Sequence, residues 1–425
     1  GDHFNIKENL DDTLHNKLEQ VGKEMGEYFV KKRGFIRRSD KFTLPLGSSQ
    51  GVILKSRRDS PQFRAMSKAL QGRYAQLCEN EQQLIDLLDA LNDLSESKGY
   101  GRFFDSFFLG KRKQHANKQE LIDDGYEDME VTYGIQGRVR GIFPPPEMVK
   151  VYYKPFSDGL KKFLFESSFL CSVDPDLIFK KQVKAISMYI CNGLNLGFDN
   201  CSHGFYDLSA YDRNTSSSLG NAYQSFCNAA FDGWQNKEGK NFTNFKLLFP
   251  EHCGPDSGMI LQDIKYRSTL SGQPDVTVKN NVCHMILLTE AIESIANKRG
   301  VAITRQQIWD FFLDGSSISE FPGLVAAIHG DDAFISWISM TKEDMETLHE
   351  VFSKYGIPCA DEESLIYLKR TFDLKVVVKE LRAIDKNLFS DKSNKGISKL
   401  SDLITKRLLS NRASIANVTG SIVRN

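Results

Sequence analysis

The segment His329–Asp332 constrains the fold of this chain most, because a short apolar run stands on each side of it. Residues Gly323–Ile328 precede the segment, and Ala333–Ile338 follow it. Two such runs joined by a polar turn predict a β-hairpin with buried strands. Gly330 permits the tight backbone that this turn requires. Taken alone, the Gly-Asp-Asp sequence could equally be an ordinary polar turn.

The hairpin turn carries two adjacent carboxylates, Asp331 and Asp332. Neighbouring side chains on a strand point to opposite faces, so only one of Asp331 and Asp332 needs to face a metal site. We expect Asp331 to be the principal ligand and Asp332 the second. Enzymes of phosphoryl transfer hold two Mg²⁺ ions about 3.5–4 Å apart, and such hard cations prefer carboxylate oxygens.

A further carboxylate, Asp207, follows Phe205 and Tyr206 at the end of a predicted strand. A carboxylate at a strand end can meet the hairpin carboxylates across a sheet. Asp212 lies beyond the next turn and is better placed to touch a substrate sugar than a metal. The alternative is that both aspartates serve as turn or helix N-cap residues.

Ser271 and Gly272 belong to a loop that precedes a mostly apolar helical segment, Val282–Ile292. Thr277 and Asn281 stand four residues apart, on one helix face. An Asn amide can read a ribose 2′-hydroxyl, the group that separates RNA from DNA. Ser-Gly loops before helices are common, so this motif is also weak by itself.

The three motifs together, in this order, resemble those of the viral RNA-dependent RNA polymerases, and within them the picornavirus-like supergroup. The resemblance implies that Ser271, Gly272 and Thr277 position the template and the nucleotide. It also implies that Asp212 and Asn281 recognise the ribose, and that Asp207, Asp331 and Asp332 hold Mg²⁺, with Mn²⁺ as a substitute.

Two basic motifs extend the resemblance. Residues Gln136–Ile142 are similar to the basic fingers motif of the family, which implies that Arg140 packs over the incoming nucleotide and Arg138 contacts its phosphates. Arginine suits this role because its fork of donors binds phosphate bidentately. Lys369 and Arg370 are similar to the hairpin motif that grips the primer backbone. Without the resemblance, Arg138 and Arg140 could equally lie on an ordinary surface strand.

The chain departs from the family pattern at two places. Thr277 lies six residues after Ser271, where the family usually has five, so Asn280 stays open as the alternative to Asn281. Glu362 stands where many relatives carry a lysine that protonates pyrophosphate. A glutamate with a pKa of roughly 4.3 is a poor acid there. Lys354 or His349 is the alternative acid.

We expect an α+β (mixed α/β) fold, a right-hand polymerase whose palm is an antiparallel sheet flanked by helices. Fingers would occupy mainly residues 1–206, the palm 207–365 with a fingers insertion at about 213–265, and a small thumb 366–425. Helices are predicted at Gln62–Leu77, Glu81–Leu94 and Ile397–Leu409. Another is predicted at Thr341–Tyr355, where Thr341 and Asp344 form a variant of the capping box.

Composition fits a folded intracellular enzyme, with 40% apolar and 26% charged residues. Lysine plus arginine and aspartate plus glutamate number 55 each, so nucleic acid must be bound by local basic clusters rather than by bulk charge. The eight cysteines contain no Cys-x-x-Cys pair, which favours reduced thiols. No apolar stretch approaches the roughly 20 residues of a membrane span. Gly1 is expected to be either a processed or a trimmed terminus.

The sequence therefore predicts template-directed RNA synthesis from ribonucleoside triphosphates, in replication of a viral genome. The expected partners are the RNA template, the nascent strand and viral replication proteins. The expected location is a replication complex in the host cytoplasm, or the virion for a double-stranded genome. A reverse transcriptase stays open, although Asp212 stands where such enzymes typically place a bulky aromatic residue. A catalytically inactive RNA-binding scaffold stays open because of Glu362.

Overall fold

The structure is a computed structural model that describes 170 of the 425 residues. The described residues are 11–37, 39, 93, 110–113, 139–142, 154, 156–164, 204–208, 211–215, 217–231, 275–337, 339–361, 366–367, 370–372, 399–400, 402–403 and 415–417. The predicted helices at Gln62–Leu77, Glu81–Leu94 and Ile397–Leu409 lie mostly outside these residues.

Helices and antiparallel strands make up the described chain, which confirms the α+β fold class. The helices are α1 (Asp12–Arg33), α2 (Tyr211–Asn214), α3 (Ser217–Ala230), α4 (Val276–Lys298), α5 (Arg305–Asp314) and α6 (Lys342–Lys354). The strands are β1 (Gly110–Lys113), β2 (Val139–Ile142), β3 (Phe205–Leu208), β4 (Val325–His329), β5 (Asp332–Ser336), β6 (Cys359–Asp361), β7 (Ile366–Tyr367), β8 (Arg370–Phe372) and β9 (Ile415–Asn417).

The chain divides into two compact units, residues 1–162 with 212–279, and residues 163–211 with 280–425. In the first unit, α1 packs along α3. Gly22 and Gly26 allow a close approach, because a Cβ added at Gly22 would lie 2.2 Å from the Ala222 carbonyl oxygen. Phe29 and Phe226 meet edge to face, with ring centroids 5.7 Å apart. In the same unit, β1 and β2 form an antiparallel pair.

The second unit contains a four-stranded antiparallel sheet in the order β4-β5-β3-β6. Its strands β4 and β5 form the predicted hairpin. Their apolar residues are buried, as the two apolar runs in the sequence predicted. Strand β3 joins the hairpin through β5, and the amide of Ile335 donates to the Gly204 carbonyl at 2.8 Å. Strands β7, β8 and β9 form a separate antiparallel sheet.

Helix α6 confirms the helix predicted at Thr341–Tyr355, including its start. The Thr341 side chain accepts from the Asp344 amide, and the Asp344 side chain accepts from the Thr341 amide. The same Asp344 carboxylate forms an ion pair with Arg299, the residue that follows α4, in which Nε donates to Oδ1 at 2.9 Å. This ion pair fixes the end of α4 against the start of α6.

A buried carboxylate fixes the middle of α4. Glu290 is 2% exposed, and it accepts from the Tyr355 hydroxyl at 2.9 Å and from Arg305 Nη2 at 3.2 Å. Burial and the neighbouring Glu290 carboxylate raise the pKa of Tyr355, so its hydroxyl stays protonated and donates. These contacts hold α4 at its middle and at its end within the second unit.

Candidate active site

The turn of the β4–β5 hairpin has two residues, Gly330 and Asp331, since the register pairs His329 with Asp332. Gly330 has a φ of 68°, a left-handed conformation that glycine adopts without strain. Glycine at the first of two loop positions is the arrangement of a type II′ hairpin turn. Asp331 is exposed at the tip. The glycine therefore has the geometric role that the sequence predicted.

Strand β3 brings the third carboxylate residue to the same end of the sheet. Asp207 lies directly opposite Asp332 in the antiparallel β3–β5 ladder. On its other side, Asp207 lies opposite Ala360 of β6. Opposite residues in such a ladder have Cα atoms about 4.5–5.5 Å apart. The three aspartates predicted to act together thus occupy neighbouring backbone positions, Asp331 being the residue before Asp332.

Both backbone polar groups of Gly330 are held by side chains of α4. The Gly330 amide donates to Asn281 Oδ1 at 2.7 Å. The Gly330 carbonyl accepts from His284 Nδ1 at 3.1 Å. Asn281 and His284 are completely buried, and they stand three residues apart, on one face of the helix. A buried helix therefore determines the position of the turn.

His284 also contacts β3, because its Nε2 lies 2.8 Å from the hydroxyl of Tyr206. A carbonyl can only accept, so Nδ1 carries the proton, and in a neutral ring Nε2 then accepts from the tyrosine. Burial lowers the pKa of His284 to about 4, which keeps the ring neutral at physiological pH. The rings of His284, Tyr206 and Phe352 pack together, with centroids 5.6–5.8 Å apart.

Asn281 was predicted to read the ribose 2′-hydroxyl, and the structure gives its oxygen to the Gly330 amide instead. Its Nδ2 is buried and has no hydrogen-bond partner in the described part of the chain. The alternative residue, Asn280, is also buried, and its backbone carbonyl accepts from the Tyr211 hydroxyl at 3.1 Å. The choice between the two as ribose contact stays a prediction.

The structure describes only part of the remaining predicted site. Thr277 is half-buried in the first turn of α4, and Asp212 lies in α2. Arg140 lies in β2 and Arg370 in β8. Ser271, Gly272, Arg138, Lys369 and Glu362 lie outside the described residues. Of the alternative acids, Lys354 is exposed in the last turn of α6 and His349 is half-buried in the same helix.

The donor set at the hairpin fits Mg²⁺. Three aspartates supply only oxygen ligands, and the turn residue Asp331 is open to solvent. The side chains of Asp207 and Asp332 lie outside the described part of the structure. Among the side chains that are described, no group of three or more His, Cys, Asp or Glu residues is arranged to hold a metal.

Sequence reasoning did not identify the role of His284. The available signal was its position, three residues after Asn281 in a helix that is otherwise mostly apolar. A polar side chain buried in such a helix needs a partner. The identity of that partner, a backbone carbonyl in a hairpin turn far along the chain, is visible only in the fold.

No protein-family model matches the chain, and no curated protein matches it. Solved structures similar to this chain were found. One is the RNA-dependent RNA polymerase of bacteriophage phi12, with 11% identity and a TM-score of 0.48, covering 96% of this chain and 65% of that one. Another is an insertion-loop deletion mutant of the RNA-dependent RNA polymerase of a human picobirnavirus, with 13% identity and a TM-score of 0.34, covering 62% and 44%.

Both similar structures are RNA-dependent RNA polymerases. The chain spans less than two thirds of the length of either polymerase. No helix in the described residues has the length and apolar character needed to cross a membrane.

Proposed function

We propose that this chain is a template-directed RNA polymerase of viral origin that joins ribonucleoside triphosphates. One observation carries the proposal: Asp207 pairs with Asp332 in neighbouring strands, directly beside the Asp331 turn. Carboxylates brought together from two neighbouring strands can hold the paired Mg²⁺ ions that nucleotidyl transfer uses. The exposed position of Asp331 leaves that end open to a substrate.

In this proposal, Asp207 and Asp331 hold two Mg²⁺ ions and Asp332 assists them. Bound Mg²⁺ supplies a lowered pKa for the primer 3′-hydroxyl and charge neutralisation for the leaving pyrophosphate. The protein would contribute the relative backbone positions of these aspartates, which the β3–β5 ladder and the Gly330 turn determine. Mn²⁺ would substitute, since it accepts the same oxygen ligands.

The other residues would bind the substrates. Arg138 and Arg140 would neutralise the triphosphate, because guanidinium groups stay charged and bind phosphate bidentately. Asp212 and Asn281, with Asn280 as the alternative to Asn281, would select the ribose. Ser271, Gly272 and Thr277 would position the template and nucleotide. Lys369 and Arg370 would grip the primer strand.

The proposal includes a hand-like arrangement, with fingers mainly in residues 1–206, a palm in 207–365 and a thumb in 366–425. The sheet that carries the proposed metal ligands, formed by β3, β4, β5 and β6, falls between residues 205 and 361. RNA and ribonucleoside triphosphates would be the partners, in a viral replication complex in the host cytoplasm or in a virion.

The test is incorporation of labelled nucleotides on a primed RNA template with Mg²⁺, comparing ribonucleotides with deoxyribonucleotides. We expect extension with ribonucleotides, reduced at least about a thousandfold in Asp331→Asn because a metal ligand is lost. The exposed Asp12→Asn in α1 is the matched control and should extend normally.

Three other outcomes would contradict the proposal in whole or in part. Extension with deoxyribonucleotides would identify a reverse transcriptase. RNA binding without extension under Mg²⁺ and Mn²⁺, equal in the parent and Asp331→Asn, would identify an inactive scaffold. Extension by Asp331→Asn at the parent rate would remove Asp331 from the metal site.

A further inference from the structure

We infer that His284 and Tyr206 are positioning residues for the carboxylate end of the sheet: through Gly330 and β3 they fix the Asp331 turn relative to Asp207. The inference rests on the proposed function, since it concerns the geometry of the proposed metal ligands. Neither residue is proposed to touch a metal or a substrate.

The first step is the contact at Gly330. The turn residue offers one donor and one acceptor, and α4 satisfies both, through Asn281 at 2.7 Å and His284 at 3.1 Å. A turn held at one group can still rock about that bond. Held at both groups by two side chains of one helix, it has a single position relative to α4. Asp331 is the next residue in the chain, so the position of its backbone is fixed by the same contacts.

The second step is the contact with β3. Tyr206 is 1% exposed, and its hydroxyl meets His284 Nε2 at 2.8 Å. Tyr206 immediately precedes Asp207. The hydrogen bonds therefore connect the two strands that carry the carboxylates by a route additional to the β-ladder, from Asp207 through Tyr206 and His284 to Gly330. A change in the imidazole is transmitted to both strands.

The third step is the uniqueness of this arrangement. In the neutral ring, only the tautomer with the proton on Nδ1 satisfies the Gly330 carbonyl and the Tyr206 hydroxyl together. Burial, which holds the pKa of His284 near 4, excludes the doubly protonated ring at neutral pH. The packed rings of Phe352 and Tyr211, with centroids 5.6 and 6.2 Å from that of His284, restrict its rotation.

A histidine that merely fills the core would have a different signature. Its loss would lower stability and the fraction of folded protein, but the folded molecules would bind metal as before. A positioning residue changes metal affinity in the molecules that are folded. The distinguishing measurement is therefore metal binding per folded molecule, without nucleotide or RNA.

The experiment is a titration of the full chain with Mn²⁺ alone, followed by the electron paramagnetic resonance signal of free Mn²⁺. His284→Leu keeps the apolar bulk and removes both hydrogen bonds, and we expect it to weaken Mn²⁺ binding about tenfold, the size of effect seen for partners that orient metal ligands. Tyr206→Phe removes one hydroxyl, and we expect a two- to fivefold loss, roughly, on the same basis.

Rescue and control variants complete the design. The amide nitrogen of Asn can take the place of Nδ1, so His284→Asn should donate to the Gly330 carbonyl and recover affinity to about the level of Tyr206→Phe, because the contact with the Tyr206 hydroxyl stays lost. His15→Leu is the matched control, because His15 Nδ1 also meets a hydroxyl, that of Ser218, at 3.0 Å, in the first unit. It should bind Mn²⁺ like the parent.

The outcomes separate this inference from the proposed function. If folded His284→Leu and Tyr206→Phe bind Mn²⁺ with the parent affinity while Asp331→Asn loses binding, the positioning role alone is overturned. Equal Mn²⁺ binding in the parent and Asp331→Asn overturns the proposed metal site and this inference with it. If His284→Leu does not fold, as judged by circular dichroism, Tyr206→Phe decides the question, since it keeps the ring and its packing.

Discussion

At the scale of single residues, Gly330 has no side chain, yet its backbone makes the most specific contacts at the hairpin. The predicted importance of this glycine rested on its freedom to turn, and its φ of 68° agrees with that. The hydrogen bonds to Asn281 and His284 add a second requirement, a precise orientation of the peptide groups. A substitution here would disturb two buried polar side chains as well as the turn.

The same network predicts how stability depends on pH. His284 has a folded pKa of about 4 against an ordinary value of 6.5, so below pH 6.5 the unfolded chain binds a proton that the folded chain does not. Stability from this residue is therefore complete above pH 6.5 and is lost as pH falls towards 4, by at most about 3 kcal/mol.

Urea unfolding of the parent and of His284→Asn at several pH values measures this effect. The stability difference between them should be constant above pH 6.5 and should change in favour of the variant below it, because asparagine does not titrate. A difference that stays constant from pH 7 to pH 4.5 would show that His284 is not the titrating group.

Residues also show the limit of what the sequence could predict. The carboxylates at 207, 331 and 332 could be found because a turn and a strand end are local features of the sequence. The pairing of Asp207 with Asp332 could only be inferred, since register between strands far apart in the chain depends on the whole sheet. The engagement of Asn281 with Gly330 could not be predicted, because it joins a helix to a turn that lies outside its motif.

At the scale of elements, α6 was predictable almost to the residue. Its capping box is a local pattern, and its buried residues recur at helical spacing. Helix α4 was predictable from its apolar run, but the buried Glu290 in its middle was not a feature of that pattern. Its partners, Tyr355 and Arg305, come from other elements.

The packing of α1 on α3 leads to a prediction with an internal control. A Cβ at Gly22 would lie 2.2 Å from the Ala222 carbonyl oxygen, so Gly22→Ala must push the two helices apart. We expect this substitution to lower the free energy of unfolding by about 1–3 kcal/mol, as in other overpacked cores. Gly220 also lies in a helix, but no atom lies within 4 Å of an added Cβ there.

Gly220→Ala should therefore stabilise the protein by up to about 1 kcal/mol, because alanine is the better helix former. Thermal unfolding of both variants measures the contrast. Equal effects of the two substitutions would mean that helix propensity, rather than the close approach at Gly22, determines the stability change.

At the scale of the whole molecule, a formal net charge of zero means that the RNA affinity of the proposed polymerase would have to come from local basic residues. Each phosphate neutralised by lysine or arginine contributes to the salt dependence of binding. Lys369→Ala and Arg370→Ala should each lower the slope of log affinity against log salt by about one.

Fluorescence anisotropy with a labelled primer–template RNA at 50–200 mM salt, roughly, covers the range in which this slope is measurable. Lys342→Ala is the control, because the Lys342 side chain is 82% exposed on α6 and contacts only Glu346 at 3.7 Å among the ion pairs described. An unchanged slope in both Lys369→Ala and Arg370→Ala would show that neither residue neutralises an RNA phosphate.

Gly204 has a consequence for recognising distant relatives of this chain. A Cβ there would lie 1.4 Å from the Ile335 carbonyl oxygen, so β3 and β5 leave room for no side chain at that position. Any chain that keeps this crossing must retain glycine three residues before its first aspartate, however far the rest has diverged. Combined with Asn281 and His284, it gives a search pattern of Gly-x-x-Asp, then Asn-x-x-His, then Gly-Asp-Asp. Such a pattern encodes spatial constraints, and it can find relatives whose overall identity has fallen too low for alignment.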